Sequence, residues 1–287
     1  MINDKAVFTA SSGYVFKAAP GTAAITPDQL RDFDPETFGA GTSALVVTGS
    51  PEGGTYTVSV DGKASKPIAF DAEAADIQAA ISDIVGVGAG NVVVKGTKDV
   101  GLTIALVGDL YGTDKEVTAD GSGLTGGTSP SVEVTELSEA LGWEPIGHTA
   151  AEELPEFGYE GGDTENKGTW QKKNLKQVTT EAPVDYVTIK AQQFDIPTLE
   201  LYYGKNASKV KNVFGIDDSA KGGIDNAVMI IMVDGDFKIA FSAAKATINR
   251  DDSISLAADE FSTIPLRATF IKHPGRHLFE WITPSEA

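Results

Sequence analysis

Between residues 227 and 248 two long β-prone runs are broken once, by Asp234-Gly235, and this pattern constrains the fold more than any other in the chain. Residues 228–233 and 237–248 are its best strand candidates, and Asp-Gly between two such runs is a strong signal for a tight hairpin turn. A chain organised around a hairpin of this length is expected to be mainly β. Residues 184–191, 265–271 and 278–282 read as further strands, as do 143–148, 169–179 and 253–256. The longest apolar run, residues 227–233, is seven residues, far below the roughly 20 that a membrane helix needs. The start, Met1-Ile-Asn-Asp-Lys5, has no apolar core of a signal peptide, so export by that route is not expected.

One helix is persuasive in this part of the chain. Asp195 can cap it, Pro197 falls in its first turn, Ile196, Leu199 and Tyr203 recur on one face, and Gly204 ends it. Two stretches show little periodicity: residues 18–41, which carry three Pro, and residues 152–167, which are acidic and Gly-rich. Loops of such length in a compact domain usually bind something or move.

Residues 44–135 differ in composition from their flanks. They are rich in Gly, Ala, Val and Thr and hold no Trp or His, whereas the flanks carry all three Trp and all three His. Thr55-Tyr56-Thr57-Val58-Ser59-Val60 alternates, Asp61-Gly62 follows as a turn, and Pro67-Ile68-Ala69-Phe70 returns. Asp71 reads as a helix cap, with Ala74, Ile77, Ile81 and Ile84 at helical spacing until Gly86. Residues 92–95, 102–107 and 116–118 read as short strands. The β-prone ends, 45–48 and 131–135, are expected side by side, which would let the module start and finish at one place. The expectation is therefore a discontinuous host domain, 1–43 and 136–287, with an inserted small α+β or β-sandwich module at 44–135.

Chemistry is sparse. The absence of Cys removes thiolate nucleophiles, disulfides and zinc ribbons. His273 and His277 have the four-residue spacing of two ligands on a helix, but Pro274-Gly275 lies between them and favours a turn between strands. His148, at a strand end, reads as structural. No Gly-x-Ser-x-Gly elbow occurs, and the Gly-rich stretches 86–90 and 121–127 lack the context or the Lys of a phosphate loop. The adjacent acids Glu152-Glu153, Asp217-Asp218 and Asp251-Asp252 fit solvated loops. With 41 Asp+Glu against 23 Lys+Arg the formal charge is −18, which argues against an attractive nucleic-acid surface. No catalytic, metal or cofactor residue is assigned, and the chain is not expected to be an enzyme.

The aromatic loop is the exception to this blandness. Pro155-Glu-Phe157-Gly-Tyr159-Glu-Gly161-Gly162-Asp163 sets two large aromatics among few core-type neighbours. They either staple the loop to its own domain or anchor a neighbouring subunit. With Trp170 downstream, the candidate contact residues are Phe157, Tyr159, Gly161, Gly162, Asp163 and Trp170.

A series of segments then resembles one known family. Gly142-Trp-Glu-Pro-Ile-Gly-His-Thr149, Leu154-Pro-Glu-Phe-Gly-Tyr-Glu-Gly-Gly-Asp-Thr164 and Gly168-Thr-Trp-Gln171 resemble the major tail (tail tube) subunit of long-tailed, non-contractile phages of mycobacteria and related actinobacteria. Glu181-Ala-Pro-Val-Asp-Tyr-Val-Thr-Ile-Lys190, Leu199-Glu-Leu-Tyr-Tyr-Gly204, Val233-Asp-Gly-Asp-Phe-Lys-Ile-Ala-Phe241, Arg250-Asp-Asp-Ser-Ile254 and Arg267-Ala-Thr-Phe270 continue the resemblance through nearly all of 140–283. The module at 44–135 resembles a different unit of virion and surface proteins, through Gly53-Gly-Thr-Tyr-Thr-Val58, Gly88-Ala-Gly-Asn-Val92 and Leu110-Tyr-Gly-Thr-Asp114.

The resemblance implies a tail-tube β-sandwich with one flanking helix, six copies per ring, and rings stacked into a hollow conduit for DNA at ejection. It implies self-association as the main partnership, together with a tape measure protein and tail terminator and initiator proteins. Genomic DNA would pass an acid-lined lumen without specific binding, and no membrane is involved. The protein would reside in the virion tail after assembly in the host cytoplasm. The inserted module would sit on the tube exterior. The alternative is a virion surface decoration or a host- or glycan-binding adhesin acting through 44–135.

Overall fold

The computed structural model describes residues 7–113, 115–217 and 222–285. The N-terminal five residues read above, Asp114 and Asp218 lie outside the described residues. The chain is mainly β, its strands gathered in several sheets. It forms two compact units, Met1–Asp32 with Pro145–Ala287, and Phe33–Glu144.

The first unit is built on the predicted hairpin. Strands Ile224–Asp234 and Phe237–Arg250 pair antiparallel, and Asp234 stands opposite Phe237 across a turn in which Gly235 takes φ +59°. Only a residue without Cβ adopts that angle freely, which is why the Asp-Gly signal is reliable. Ser12–Ala18 pairs with the outer side of Ile224–Asp234. Ile264–Phe270 pairs with Phe237–Arg250, then comes Val184–Ala191, and Glu156–Glu160 closes that edge. Glu280–Ile282 also pairs with Phe237–Arg250.

Ala227, Val228, Met229, Ile230 and Ile231 are all buried, so this central strand is covered on both faces and reads as an unbroken apolar run. One core gathers Val187, Ile189, Val228, Ile230, Phe241, Leu266 and Ala268 with Leu201 and Tyr202 of the helix Ile196–Tyr203. That helix starts as predicted: Asp195 accepts a hydrogen bond from the Thr198 amide at 2.9 Å, and Gly204 ends it at φ +100°. Thr198, Leu201 and Tyr202 are its buried residues, Leu199 packs partly buried against the same core, and Tyr203 is exposed. The Tyr202 hydroxyl reaches the Asp252 carbonyl at 2.7 Å, which fixes the rotation of the helix.

Several expectations need correction. Residues 18–41 contain a short second helix, Pro27–Arg31, held by a capping box in which Thr26 and Gln29 bond each other's amides. The Thr-Pro-Asp-Gln sequence is the signal for it. The predicted strand 169–179 narrows to Lys176–Thr179, and 143–148 to Glu144–Pro145. Residues 253–256 make only a single bridge, Ser255 to Thr263, because no neighbouring strand runs alongside them.

Among the described residues the second unit contains two sheets and one α-helix. Ser131–Ser138, Thr42–Thr48, Gly101–Leu106 and Val92–Thr97 form one sheet, and Gly53–Val60 is the centre of the other. The module ends do pair, Val47 opposite Val132 and Leu45 opposite Val134. Tyr56, Val58 and Val60 bury against Ile77 and Ile81 of helix Ala74–Ser82. The cap of this helix is Glu73, without a side-chain bond, and not Asp71.

This unit takes in residues on either side of 44–135, for a physical reason. Lys95 pairs with Asp34 at 2.6 Å and Glu36 at 2.8 Å. Ala40 packs on Ala105 and Val107, the Leu141 amide donates to the Gly39 carbonyl, and the Thr42 and Ser138 hydroxyls meet at 2.7 Å.

Candidate functional site

The acidic stretch 152–167, expected as a loop, is β structure. Glu156–Glu160 is an edge strand, paired residue by residue with Val184–Thr188. Alternation along it gives its two faces different jobs. Phe157 turns to the core side, where its ring meets Phe241 edge-on at 4.6 Å and Trp281 at 5.2 Å. It staples the strand to its own unit while remaining 41% exposed. Tyr159, two residues on, is 74% exposed and makes no such staple.

The opposite face carries a three-residue lock. Gly158 lies across from Tyr186, the Arg267 guanidinium stacks 3.6 Å above the Tyr186 ring centroid, and Arg267 bonds Glu160 at 2.7 Å. The hydrogen bond from Arg267 holds the Glu160 carboxyl below its usual range, with partial desolvation working against it. A cation over an aromatic face and a charge-assisted bond together fix the end of the edge strand.

Beyond Glu160 the chain swings away from the sheet through Gly161 and Gly162, at φ +74° and +77°. A Cβ on Gly161 would come within 2.7 Å of the Ala182 carbonyl, whereas one on Gly162 would meet only Pro183 at 3.7 Å. Gly162 is thus required by backbone conformation and Gly161 by crowding as well. The Asp163 carbonyl then accepts from the Thr180 amide at 2.8 Å and hydroxyl at 3.0 Å. From there Thr164–Lys167 and Lys176–Thr179 pair as a separate two-stranded hairpin. Trp170 sits in its tip and is 95% exposed.

All six residues singled out in the sequence therefore lie on one continuous feature, an edge strand leading through two glycines to an exposed hairpin. Phe157 is partly a core residue. The sequence reading missed Tyr186 and Arg267, whose part depends on register, and the lysines of the hairpin, whose clustering within ten residues was legible.

The His273 ring lies against Gly21, where an added Cβ would meet it at 2.8 Å, and His273 belongs to the turn before Gly275, at φ +75°. Among the described residues no three His, Cys, Asp or Glu side chains gather as a metal site, and no helix is long and apolar enough to cross a membrane.

Comparison with known proteins yields a consistent family. A family profile described as "Phage tail tube protein" matches residues 96–287. The major tail proteins Gp23 of Mycobacterium phage L5 and of Mycobacterium phage D29 are each 46% identical over 143 residues, covering 50% of this chain and 71% of the relative. A solved chain from Mycobacterium phage Patience is 24% identical with a TM-score of 0.28, over 38% of this chain and 50% of that one.

Proposed function

This chain belongs to the phage tail tube protein family, a structural and non-enzymatic component of the virion tail, and we propose that its copies form hexameric rings stacked into a hollow tube. The observation that carries this reading is the outer edge of Glu156–Glu160, unpaired among the described residues, which continues into an exposed hairpin. An unpaired edge is a template for another chain, and a ring closes all such edges at once. Sheet edges of neighbouring copies would join into a barrel around the lumen. Carboxylates facing inward would repel phosphates, so that DNA passes at ejection without sticking.

The tape measure protein and the terminator and initiator proteins of the tail are the further partners on this reading, with assembly in the host cytoplasm. The inserted module, read from sequence as 44–135, would lie outside the tube, because some 90 residues per copy projecting inward would obstruct the channel.

Electron microscopy of the purified, concentrated protein tests the proposal. Hollow tubes with a regular ring spacing and the second unit on the outside are expected. Solid filaments, or the second unit inside the lumen, would contradict it.

A second reading has one observation in its favour. The second unit holds a cleft of about 380 Å³ lined by Thr42, Ser43, Lys115, Glu116, Glu136 and Ser138, a polar surface suited to a decoration or adhesin role. Removing the module separates the readings: a tube subunit still polymerises, and an adhesin loses its ligand.

A further inference from the structure

The hairpin carries a charge opposite to that of the chain. Residues 164–179 hold Lys167, Lys172, Lys173 and Lys176 against Glu165 alone, a net of 4 − 1 = +3 within a chain of −18. All four lysines are exposed. Lys167 reaches Glu165 at 3.5 Å, and among the described residues the other three make no ion pair. Trp170 and Leu175 stand among them, also exposed.

Residues 250–263, in the same unit, have the complementary character. They carry Asp251, Asp252, Asp259 and Glu260 against Arg250, a net of 1 − 4 = −3. Leu256 and Phe261 are 78% and 81% exposed there, and the Ser255–Thr263 bridge closes the segment into a loop. Two bare apolar side chains flanked by four acids match two bare apolar side chains flanked by four lysines.

The sheet register prevents these surfaces from meeting within one copy. The hairpin leaves the sheet where Glu160 pairs with Val184. The acidic loop leaves it where Ala191 pairs with Ile264 and Arg250 with Leu266. They depart from opposite ends of the strand Val184–Ala191, about 23 Å apart at a rise of roughly 3.3 Å per residue. Complementary patches at opposite ends of a subunit make a heterologous contact, which repeats along an axis wherever its rotation does not close into a ring.

We propose that the hairpin 164–179 of one copy docks on the loop 250–263 of a second copy, joining subunits head to tail. Trp170 and Leu175 meet Leu256 and Phe261 as the anchors, and the lysine–carboxylate contacts around them set partner orientation. This rests on the reading of the chain as a self-assembling subunit and assigns the contact that stacks one subunit on the next. Salt weakens it, because the charged rim is exposed.

Two experiments on the full chain test it. The natural absence of Cys makes disulfide trapping clean: Trp170→Cys and Phe261→Cys proteins, mixed and mildly oxidised, are expected to give a mixed covalent dimer well above either protein alone. Separately, Lys172→Glu/Lys173→Glu/Lys176→Glu is expected to lower the pelleted polymer fraction roughly tenfold or more. Adding Asp251→Lys/Asp259→Lys/Glu260→Lys to the same chain is expected to restore it. All the altered side chains are exposed, and circular dichroism checks that the variants fold.

Tubes from the wild type without a mixed dimer, or reversal without rescue, overturn this contact and leave the tube reading standing. Neither polymer nor mixed dimer at high concentration overturns both.

Discussion

Gly158 and Tyr186 stand directly opposite each other on the edge pair of strands, and the Tyr186 ring occupies the space that a side chain at 158 would need, 2.6 Å from an added Cβ. The ring so placed is the platform for Arg267, and Arg267 in turn holds Glu160. A glycine in mid-strand, which normally weakens pairing, is here the residue that lets the lock form.

Gly158→Ala is accordingly expected to destabilise the first unit by about 1–3 kcal/mol, the usual range for forcing an extra carbon into a packed site. Urea unfolding followed by Trp fluorescence measures it. An unchanged midpoint would mean that the Tyr186 ring is free to move aside.

The Glu160–Arg267 pair predicts a pH dependence. The Glu160 pKa is depressed on folding below its ordinary value near 4.5, so its contribution is present above that value and is lost as pH falls through the folded-state pKa. Wild type and Glu160→Gln should differ in thermal midpoint at neutral pH and converge in acid. A constant difference across the titration would rule the pair out as the cause.

Asp195 caps the eight-residue helix Ile196–Tyr203 through the Thr198 amide. Asp195→Ala is expected to cost about 1 kcal/mol, and Asp195→Asn considerably less, since the amide oxygen still accepts the bond. Equal losses for both would point to charge rather than capping.

Ser242 is buried, and its hydroxyl has no hydrogen-bond partner among the described residues. Ser242→Ala should therefore be neutral or raise stability, by up to about 1 kcal/mol, because it removes a desolvated polar group that gains nothing in return. A clear loss in calorimetry would show that the hydroxyl is bonded in solution.

Gly162→Val puts a β-branched residue at φ +77°, where it is strained although there is room for it. Assembly should suffer more than folding, since the strained turn aims the hairpin while the core lies elsewhere. Equal polymer yield from the variant, compared by sedimentation, would remove the turn from the assembly contact.

Much of the architecture was legible because it is local. The Asp234-Gly235 turn, the runs on either side of it, the strand Val184–Ala191 and the Asp195 cap each follow from preferences of adjacent residues, and the structure keeps them. The pairing of 45–48 with 131–135 was also readable, since alternation at both ends of a module implies a shared sheet.

What the sequence could not decide was partnership at a distance. Glu156–Glu160 has too weak a pattern to announce a strand; it is one because Val184–Thr188 offers it a ladder of hydrogen bonds. That Tyr202 is buried beside Leu199 was not legible, because its hydroxyl finds the Asp252 carbonyl fifty residues away. Residues 33–43 joined the second unit through Lys95 and Ala105, which no local window contains. Local periodicity fixes which segments become strands and helices. Which edge remains free, and which charges gather at each end of the sheet, is settled only when non-local pairing sets the register.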